Sequence, residues 1–278
     1  MIQDIGLHQF YNTYALRQPE DNDFVYCFQG RDVLLGPEGR LPRYRELAEL
    51  AGIEYRYLFA IDQAHYFLAL SQPPVELTGY AYQSSRTFRN VRPMDRALAG
   101  YTAMHLSGWY ANNRFCGRCG GKMEVGQVER NMVCPHCGNL VYPRINPAVI
   151  VAVTDGDRLL MTKYSEKAHR VHHYVLIAGF VEIGETAEQT VEREVMEEVG
   201  LRVKDIRYFK SQPWGCDGNL TLAYFAKLDG SEGITLDREE LADAHWFRRE
   251  EVPVPQDDVS ITSEMIHLFA AGREPKGV

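Results

Sequence analysis

The sequence predicts an α+β protein of three segments: a β-rich N-terminal domain over residues 1–113, a four-cysteine ribbon over 114–142 and a C-terminal domain over 143–278. Three observations carry this. Runs of β-branched and aromatic residues fill the first segment. Two Cys-x-x-Cys pairs define the second. An apolar strand followed by a strongly capped helix marks the third.

In the first segment, residues 24–36 and 55–70 each read as a hairpin, with turn signals at Gln29-Gly30-Arg31-Asp32 and Asp62-Gln63. Residues 95–110 read as a helix. Asp95 can cap it, and Leu98, Tyr101, His105 and Trp109 fall on one stripe. No chemistry-bearing pattern stands out before residue 114, so the expected part is a scaffold or dimerisation domain.

The ribbon holds Cys116-Gly-Arg-Cys119 and Cys134-Pro-His-Cys137, each followed by glycine. A Cys-x-x-Cys turn lets two thiolates face one ion, and two such turns complete a tetrahedral shell. Four thiolates leave no open position, so the expected Zn²⁺, one per chain, is structural and supplies folding energy to a piece too small for its own core. Redox chemistry and iron–sulfur ligation are the alternatives. Cys27 and Cys216 lie outside the pattern, and Cys27, in an apolar run, reads as a core thiol.

In the third segment Ala148–Val153 reads as a buried strand. Thr186 and Gln189 form a capping box, so a helix begins at Ala187, and Gly200 ends it. Ala187, Val191, Val195 and Val199 repeat every four residues and make the buried stripe. Glu194, Glu197 and Glu198 share another face, where three carboxylates repel one another. A hard divalent cation, Mg²⁺ or Mn²⁺, resolves that repulsion and bridges to substrate phosphates. A solvated acidic face is the bland alternative.

Composition narrows the classes further. The 278 residues carry 38 Asp+Glu against 30 Lys+Arg, a formal charge of −8, the wrong sign for general attraction to a phosphate backbone. A bound metal reverses the field locally, so a nucleotide ligand remains open. Six cysteines are too few for a disulfide scaffold. With no long apolar run and no signal-peptide pattern, the expected location is cytoplasmic, with no membrane partner.

Residues 179–201 resemble the Nudix box at every specified position: Gly179, Glu185, Arg193, Glu194, Val195, Glu197, Glu198, Gly200 and Leu201. Membership of the Nudix hydrolase family implies an α/β/α sandwich with a mixed sheet, and cleavage of a nucleoside diphosphate linked to another group. It implies that Glu194, Glu197 and Glu198 serve the metals, with Glu194, Glu198, Glu240 and the backbone of Ala178 as Mg²⁺ or Mn²⁺ contacts. Arg193 paired with Glu185 would orient the catalytic loop. Glu239 and Glu240 are both candidates for the further carboxylate, and Glu240 aligns better.

A ribbon directly before the box is similar to the branch of this family that acts on NAD(H). That resemblance also rests on Tyr142-Pro143-Arg144, Gly179-Phe180-Val181-Glu182, Ser211-Gln212-Pro213-Trp214 and Ser260-Ile261. It implies hydrolysis of NAD(H) to NMN(H) and AMP, removal of NAD caps from RNA, and a homodimer. It assigns Glu129, Tyr142, Ala178, Phe180, Gln212, Pro213, Trp214 and Asn219 to substrate. Phe180 and Tyr142 would stack on a base. The bland readings are core aromatics at Phe180 and Trp214, and a ribbon-packing ring at Tyr142.

One departure bears on specificity. After Ser-Gln-Pro-Trp the family continues Pro-Phe-Pro, any residue, Ser, whereas this chain has Gly215-Cys216-Asp217-Gly218-Asn219. Loss of two prolines and an aromatic predicts a looser loop with less stacking area. Two other readings therefore stay open: a Nudix pyrophosphatase for ADP-ribose or a dinucleoside polyphosphate, and a nucleotide- or RNA-binding module with weak catalysis.

Overall fold

Gly30 and Asp62 turn the two expected hairpins. In the computed structural model, which describes residues 1–71, 74–165 and 173–275, β2 (Phe24–Gln29) and β3 (Asp32–Leu35) pair through Gln29 and Asp32, leaving a two-residue turn. Gly30 takes φ +60° there, the left-handed region such turns require. β4 (Glu54–Ile61) and β5 (Ala64–Leu70) close likewise, with Asp62 at φ +52°. Asp62 is tied by its carboxylate, which accepts from the Gln9 backbone N–H at 2.8 Å.

With β1 (Phe10–Tyr11) and β6 (Ala81–Ser84) these strands form a six-stranded sheet of order β1-β4-β5-β2-β3-β6. A one-turn helix, α1 (Tyr44–Leu47), lies between β3 and β4 in sequence. The long helix α2 runs Met94–Asn112. Pro93 occupies its N-cap without a side-chain bond, and Asp95 sits inside the first turn, where its charge favours the helix dipole instead of capping. Leu98, Tyr101 and Trp109 are buried as the stripe requires, and His105 Nε2 meets the Arg144 carbonyl at 2.8 Å.

The ribbon has three two-residue strands, β7 (Glu124–Val125), β8 (Met132–Val133) and β9 (Leu140–Val141), paired in that order. By its contacts it belongs with the N-terminal segment. The chain divides into one unit of Ile2–Arg144 with Gly215–Gly218, and another of Met1, Ile145–Trp214 and Asn219–Val278.

The second unit is built around β10 (Asn146–Asp155), which contains the expected strand 148–153. β10 pairs in parallel with β14 (Asn219–Leu228) and antiparallel with β11 (Arg158–Tyr164) and β12 (Ile177–Phe180). β13 (Val203–Trp214) and β15 (Leu241–Arg248) complete the mixed sheet, in the order β13-β14-β10-β11-β15. Pro213 lies on β13, an edge strand, where a missing N–H is tolerated.

Alternate residues of β10 face opposite layers. Val149, Val151 and Val153 pack with Val191, Val195 and Val199 of α3 (Ala187–Val199). Ile150 and Ala152 pack with Ile261, Met265, Ile266 and Phe269 of α4 (Ile261–Ala270). A helix on each face of one mixed sheet is the expected α/β/α sandwich.

Candidate active site

α3 starts and stops where its sequence directs. Thr186 Oγ1 accepts from the Gln189 N–H, Gln189 Oε1 accepts from the Thr186 N–H, and Gly200 closes the helix at φ +68°. With the valine stripe buried, the glutamates turn toward β12. Glu198 is only 3% exposed, Glu194 is partly buried and Glu197 is exposed. Gly179 of β12 makes room for this: a Cβ there would lie 1.9 Å from the Glu194 carboxyl carbon. The glycine is required by close approach, not by its backbone angles.

Arg193 organises the loop before the helix. Its Nε donates to Glu185 Oε1 at 2.6 Å and its Nη2 to Glu185 Oε2 at 3.0 Å and to the Phe180 carbonyl at 2.9 Å. Its Nη1 reaches Glu194 at 2.7 Å and Glu197 at 2.9 Å. The hydrogen bonds from Arg193 hold the Glu185 carboxyl down at about 2.

Glu198 is under the opposite pressure. Burial, then the charges of Glu194, Glu240 and Asp237, push its carboxyl up to about 8, against a backbone hydrogen bond from Ala178. Its Oε2 is buried without a hydrogen-bond partner. Burial also raises Glu194. A cluster of oxygen donors that repel one another, with one oxygen orphaned in the interior, fits a hard divalent cation. Glu240 belongs to this field and Glu239 is not among the groups acting on Glu198.

The turn carrying Glu240 is fastened twice. The Asp237 N–H donates to the Glu198 carbonyl at 3.0 Å, and Ser165 donates to the Glu240 carbonyl from N at 2.8 Å and to the Glu239 carbonyl from Oγ at 3.0 Å. Asp237 and Ser165 escape a reading by motif, because neither belongs to the box. An acidic residue three positions before Glu240 was the available signal.

The substrate candidates divide. The Phe180 ring is 55% exposed, which removes the core reading for it. Trp214 is half-buried and stands opposite Asn219 in the β13–β14 ladder. Asn219 Oδ1 is buried with no hydrogen-bond partner. Pro213 is exposed. Gln212, expected to line the nucleotide pocket, has its amide engaged within the protein. It is 1% exposed, its Nε2 donates to the Val259 carbonyl at 2.8 Å, and its Oε1 accepts from the Ile261 N–H at 2.8 Å. Those bonds tie β13 to the start of α4, which Ser260 caps by accepting from the Ser263 N–H.

On the ribbon, Tyr142 is 51% exposed and its hydroxyl donates to Glu129 Oε2 at 2.8 Å. The four cysteine sulfurs lie within 4.8 Å of one another. Cys116 and Cys137 are 3.6 Å apart and Cys119 and Cys134 3.5 Å, close to the ~3.8 Å edge of a zinc–thiolate tetrahedron. Gly120 and Gly138 both take φ +72° and donate to the Cys116 and Cys134 carbonyls, each at about the same length, 2.8 and 2.9 Å. These matched knuckles explain the glycine after each pair. The donor set fits Zn²⁺.

The loop 215–218 is held more firmly than its composition predicts. Gly215 rests on α2, where a Cβ would lie 2.3 Å from the Tyr101 carbonyl oxygen. Arg31 Nη2 donates to the Cys216 carbonyl at 2.8 Å and lies 3.6 Å from Asp217. The aromatic area is lost; the rigidity is not.

Residues 144–269 match the NUDIX domain, and residues 111–142 match the NADH pyrophosphatase zinc ribbon domain. The chain carries a Nudix domain. Among curated proteins, an NAD-capped RNA hydrolase NudC of Escherichia coli O1:K1 / APEC is 42% identical over 157 residues, 56% of this chain and 60% of that protein. That of Pectobacterium carotovorum subsp. carotovorum (strain PC1) is 44% identical over 156 residues, 56% of this chain and 58% of that protein. The chain thus spans about three-fifths of the length of the curated relatives it matches. A solved NUDIX hydrolase from Nitrosomonas europaea aligns with a TM-score of 0.47 at 22% identity, over 56% of this chain and 90% of that one. Among the described residues, no helix is long and apolar enough to cross a membrane.

Proposed function

We propose that this protein hydrolyses the pyrophosphate bond of NAD(H), giving NMN(H) and AMP, and removes NAD caps from RNA by the same cleavage. The observation that carries the reading is the buried Glu198, pressed by the charges of the partly buried Glu194 and the exposed Glu240, on a complete Nudix box in a chain that also carries the zinc ribbon.

In this reading Glu194, Glu198, Glu240 and the Ala178 backbone hold Mg²⁺ or Mn²⁺. The bound ion supplies neutralisation of the pyrophosphate and a water of lowered pKa. Arg193 and Glu185 keep β12 and α3 in register with each other, so the carboxylates stand ready before substrate arrives. The oxygen of water bonds to one phosphorus as the bridging P–O bond breaks, the bridging oxygen stays on the other phosphate, and the two protons of the water pass to the phosphates or to solvent, leaving two phosphate monoesters. Phe180 offers an open face for a base, and Asn219 stands opposite Trp214 in the β13–β14 ladder. Glu129 and Tyr142 are assigned to substrate on the ribbon side. Zn²⁺ is structural, and a cytoplasmic homodimer belongs to the same reading.

The loop at 215–219 favours one second reading, a shift toward ADP-ribose or a dinucleoside polyphosphate, because the family's aromatic is missing there. Product analysis decides between them. Zinc-replete protein is incubated with Mg²⁺ or Mn²⁺ and equimolar NADH, NAD and ADP-ribose. NMNH and AMP as the fastest products support the proposal. Faster AMP and ribose 5-phosphate move the specificity while leaving the mechanism in place. Tight nucleotide binding without turnover at any metal concentration favours the binding module.

A further inference from the structure

Glu129 sits in the loop 126–131 that joins β7 to β8, and that loop is built with unusual economy. The Gly126 N–H donates to the Asn131 carbonyl at 2.9 Å, and the Asn131 N–H turns back to the Glu129 carbonyl at 2.8 Å. A Cβ on Gly126 would lie 1.9 Å from Asn131 Oδ1 and 2.8 Å from the Glu129 carbonyl, so the two ends of the loop are pressed together. The Gly126 carbonyl accepts from the Tyr14 hydroxyl at 2.7 Å.

Arg130 is the second anchor. Its guanidinium turns inward, where Nη2 donates to the Leu58 carbonyl on β4, and its Cζ lies 5.9 Å from the centre of the Tyr14 ring. Burial lowers its pKa, and Tyr110, Tyr14 and Tyr57 line its surroundings. A long cationic side chain is thus spent on a carbonyl and aromatic rings, not in solvent. Its neighbours in sequence do the reverse: Val128 and Glu129 are exposed, and Glu129 meets the Tyr142 hydroxyl.

We infer that Arg130 is a positioning residue for substrate binding: anchored on Leu58 and Tyr14, it fixes the loop 126–131 so that the Glu129 carboxylate stands beside the Tyr142 ring. A carboxylate next to an open aromatic ring accepts from a ribose hydroxyl while the ring covers the attached base, so the ligand class is a nucleoside portion of the dinucleotide. This rests on the reading that Glu129 touches substrate.

The test measures NADH hydrolysis, zinc content and Tm for Glu129→Gln, Arg130→Met, Arg130→Lys and the Glu129→Gln/Arg130→Met double variant. Methionine keeps the packing of the stem and removes the donors. Arg130→Met and Glu129→Gln should each raise KM about tenfold with kcat lowered less than about threefold. The double variant should be no worse than either single one, because both act through one carboxylate. Arg130→Lys keeps a donor within reach of the Leu58 carbonyl and should recover most of the KM. A multiplicative double variant, or a raised KM in Glu129→Gln with none in Arg130→Met, overturns the positioning role and leaves the Glu129 contact standing. An unchanged KM in Glu129→Gln overturns that contact and the inference with it. If Arg130→Met loses zinc or does not fold, Tyr14→Phe carries the test, since it removes only the hydroxyl bound to Gly126. A raised KM with full zinc then supports the inference, and an unchanged KM defeats it.

Discussion

Arg193 and Glu185 are joined by two hydrogen bonds, Nε to Oε1 and Nη2 to Oε2, and the same guanidinium reaches the Phe180 carbonyl. One planar group therefore fastens the loop before α3 to β12. Lysine keeps the charge but cannot span these acceptors. Arg193→Lys should lower kcat by about 10–100-fold through misplaced carboxylates, with circular dichroism unchanged. Full turnover would show that the loop holds its shape without the fork.

Gly179 leaves no room for a side chain beside Glu194. Gly179→Ala should displace that carboxylate and cost about 10²-fold in kcat, with a corresponding loss of Mn²⁺ affinity by titration calorimetry. Wild-type affinity in the variant would mean that β12 yields instead.

Gln212 spans β13 and the start of α4 with both ends of its amide. Gln212→Ala orphans the Val259 carbonyl and the Ile261 N–H, and should cost about 1–3 kcal/mol in denaturant unfolding. KM for NADH should move far less than stability. The opposite pattern, a raised KM with stability intact, would return Gln212 to the substrate site.

The ribbon has little apolar interior, so its order should depend on the ion. Cys134→Ser, at a buried ligand position, should abolish stoichiometric zinc by elemental analysis. It should also lower Tm sharply, since structural zinc contributes about 10–16 kcal/mol of apparent binding energy. Normal Tm in zinc-free protein would count against a structural ion.

Glu46 carries the acid-side prediction. Hydrogen bonds from Arg40 first, then the Arg43 N–H and the Tyr80 hydroxyl, hold its carboxyl down at about 2. Its folded value lies below its unfolded value of 4.5. The stability it contributes is therefore present above that unfolded value and is lost as pH falls toward 2. Glu46→Gln should be less stable than the wild type at pH 7, and the gap in Tm should shrink progressively below pH 4.5. A constant gap would show that shape, not charge, sets the effect.

What could be read in advance was local. The capping box at Thr186 and Gln189, the valine stripe and Gly200 fixed α3, and the alternation of turn residues located both N-terminal hairpins, because each signal lies within a few residues of its effect. Helical spacing alone placed Glu194, Glu197 and Glu198 on one face, and the match to the Nudix box is what turned that face into a candidate metal site. The structural bonds of Gln212 were not legible because its partners, Val259 and Ile261, lie some fifty positions on in sequence. Asp237 and Ser165 were missed for the same reason. Gly215 illustrates the converse: glycine read as slack is glycine demanded by the Tyr101 carbonyl, and only the tertiary contact distinguishes the two.

The alternation along β10 sets where the chain tolerates a change of length. Even and odd positions of that strand answer to different helices, and Ala148 to Val151 pair with the four residues of β12 that carry Ala178 and Gly179. Deleting one residue between Asn146 and Val153 would exchange the two faces, offer Ile150 to the wrong helix, and slide Gly179 away from Glu194. No point substitution in the site does as much. Reading frame, in the sense of which residue opposes which, is thus inherited by the clustered carboxylates from a strand that contributes none of them.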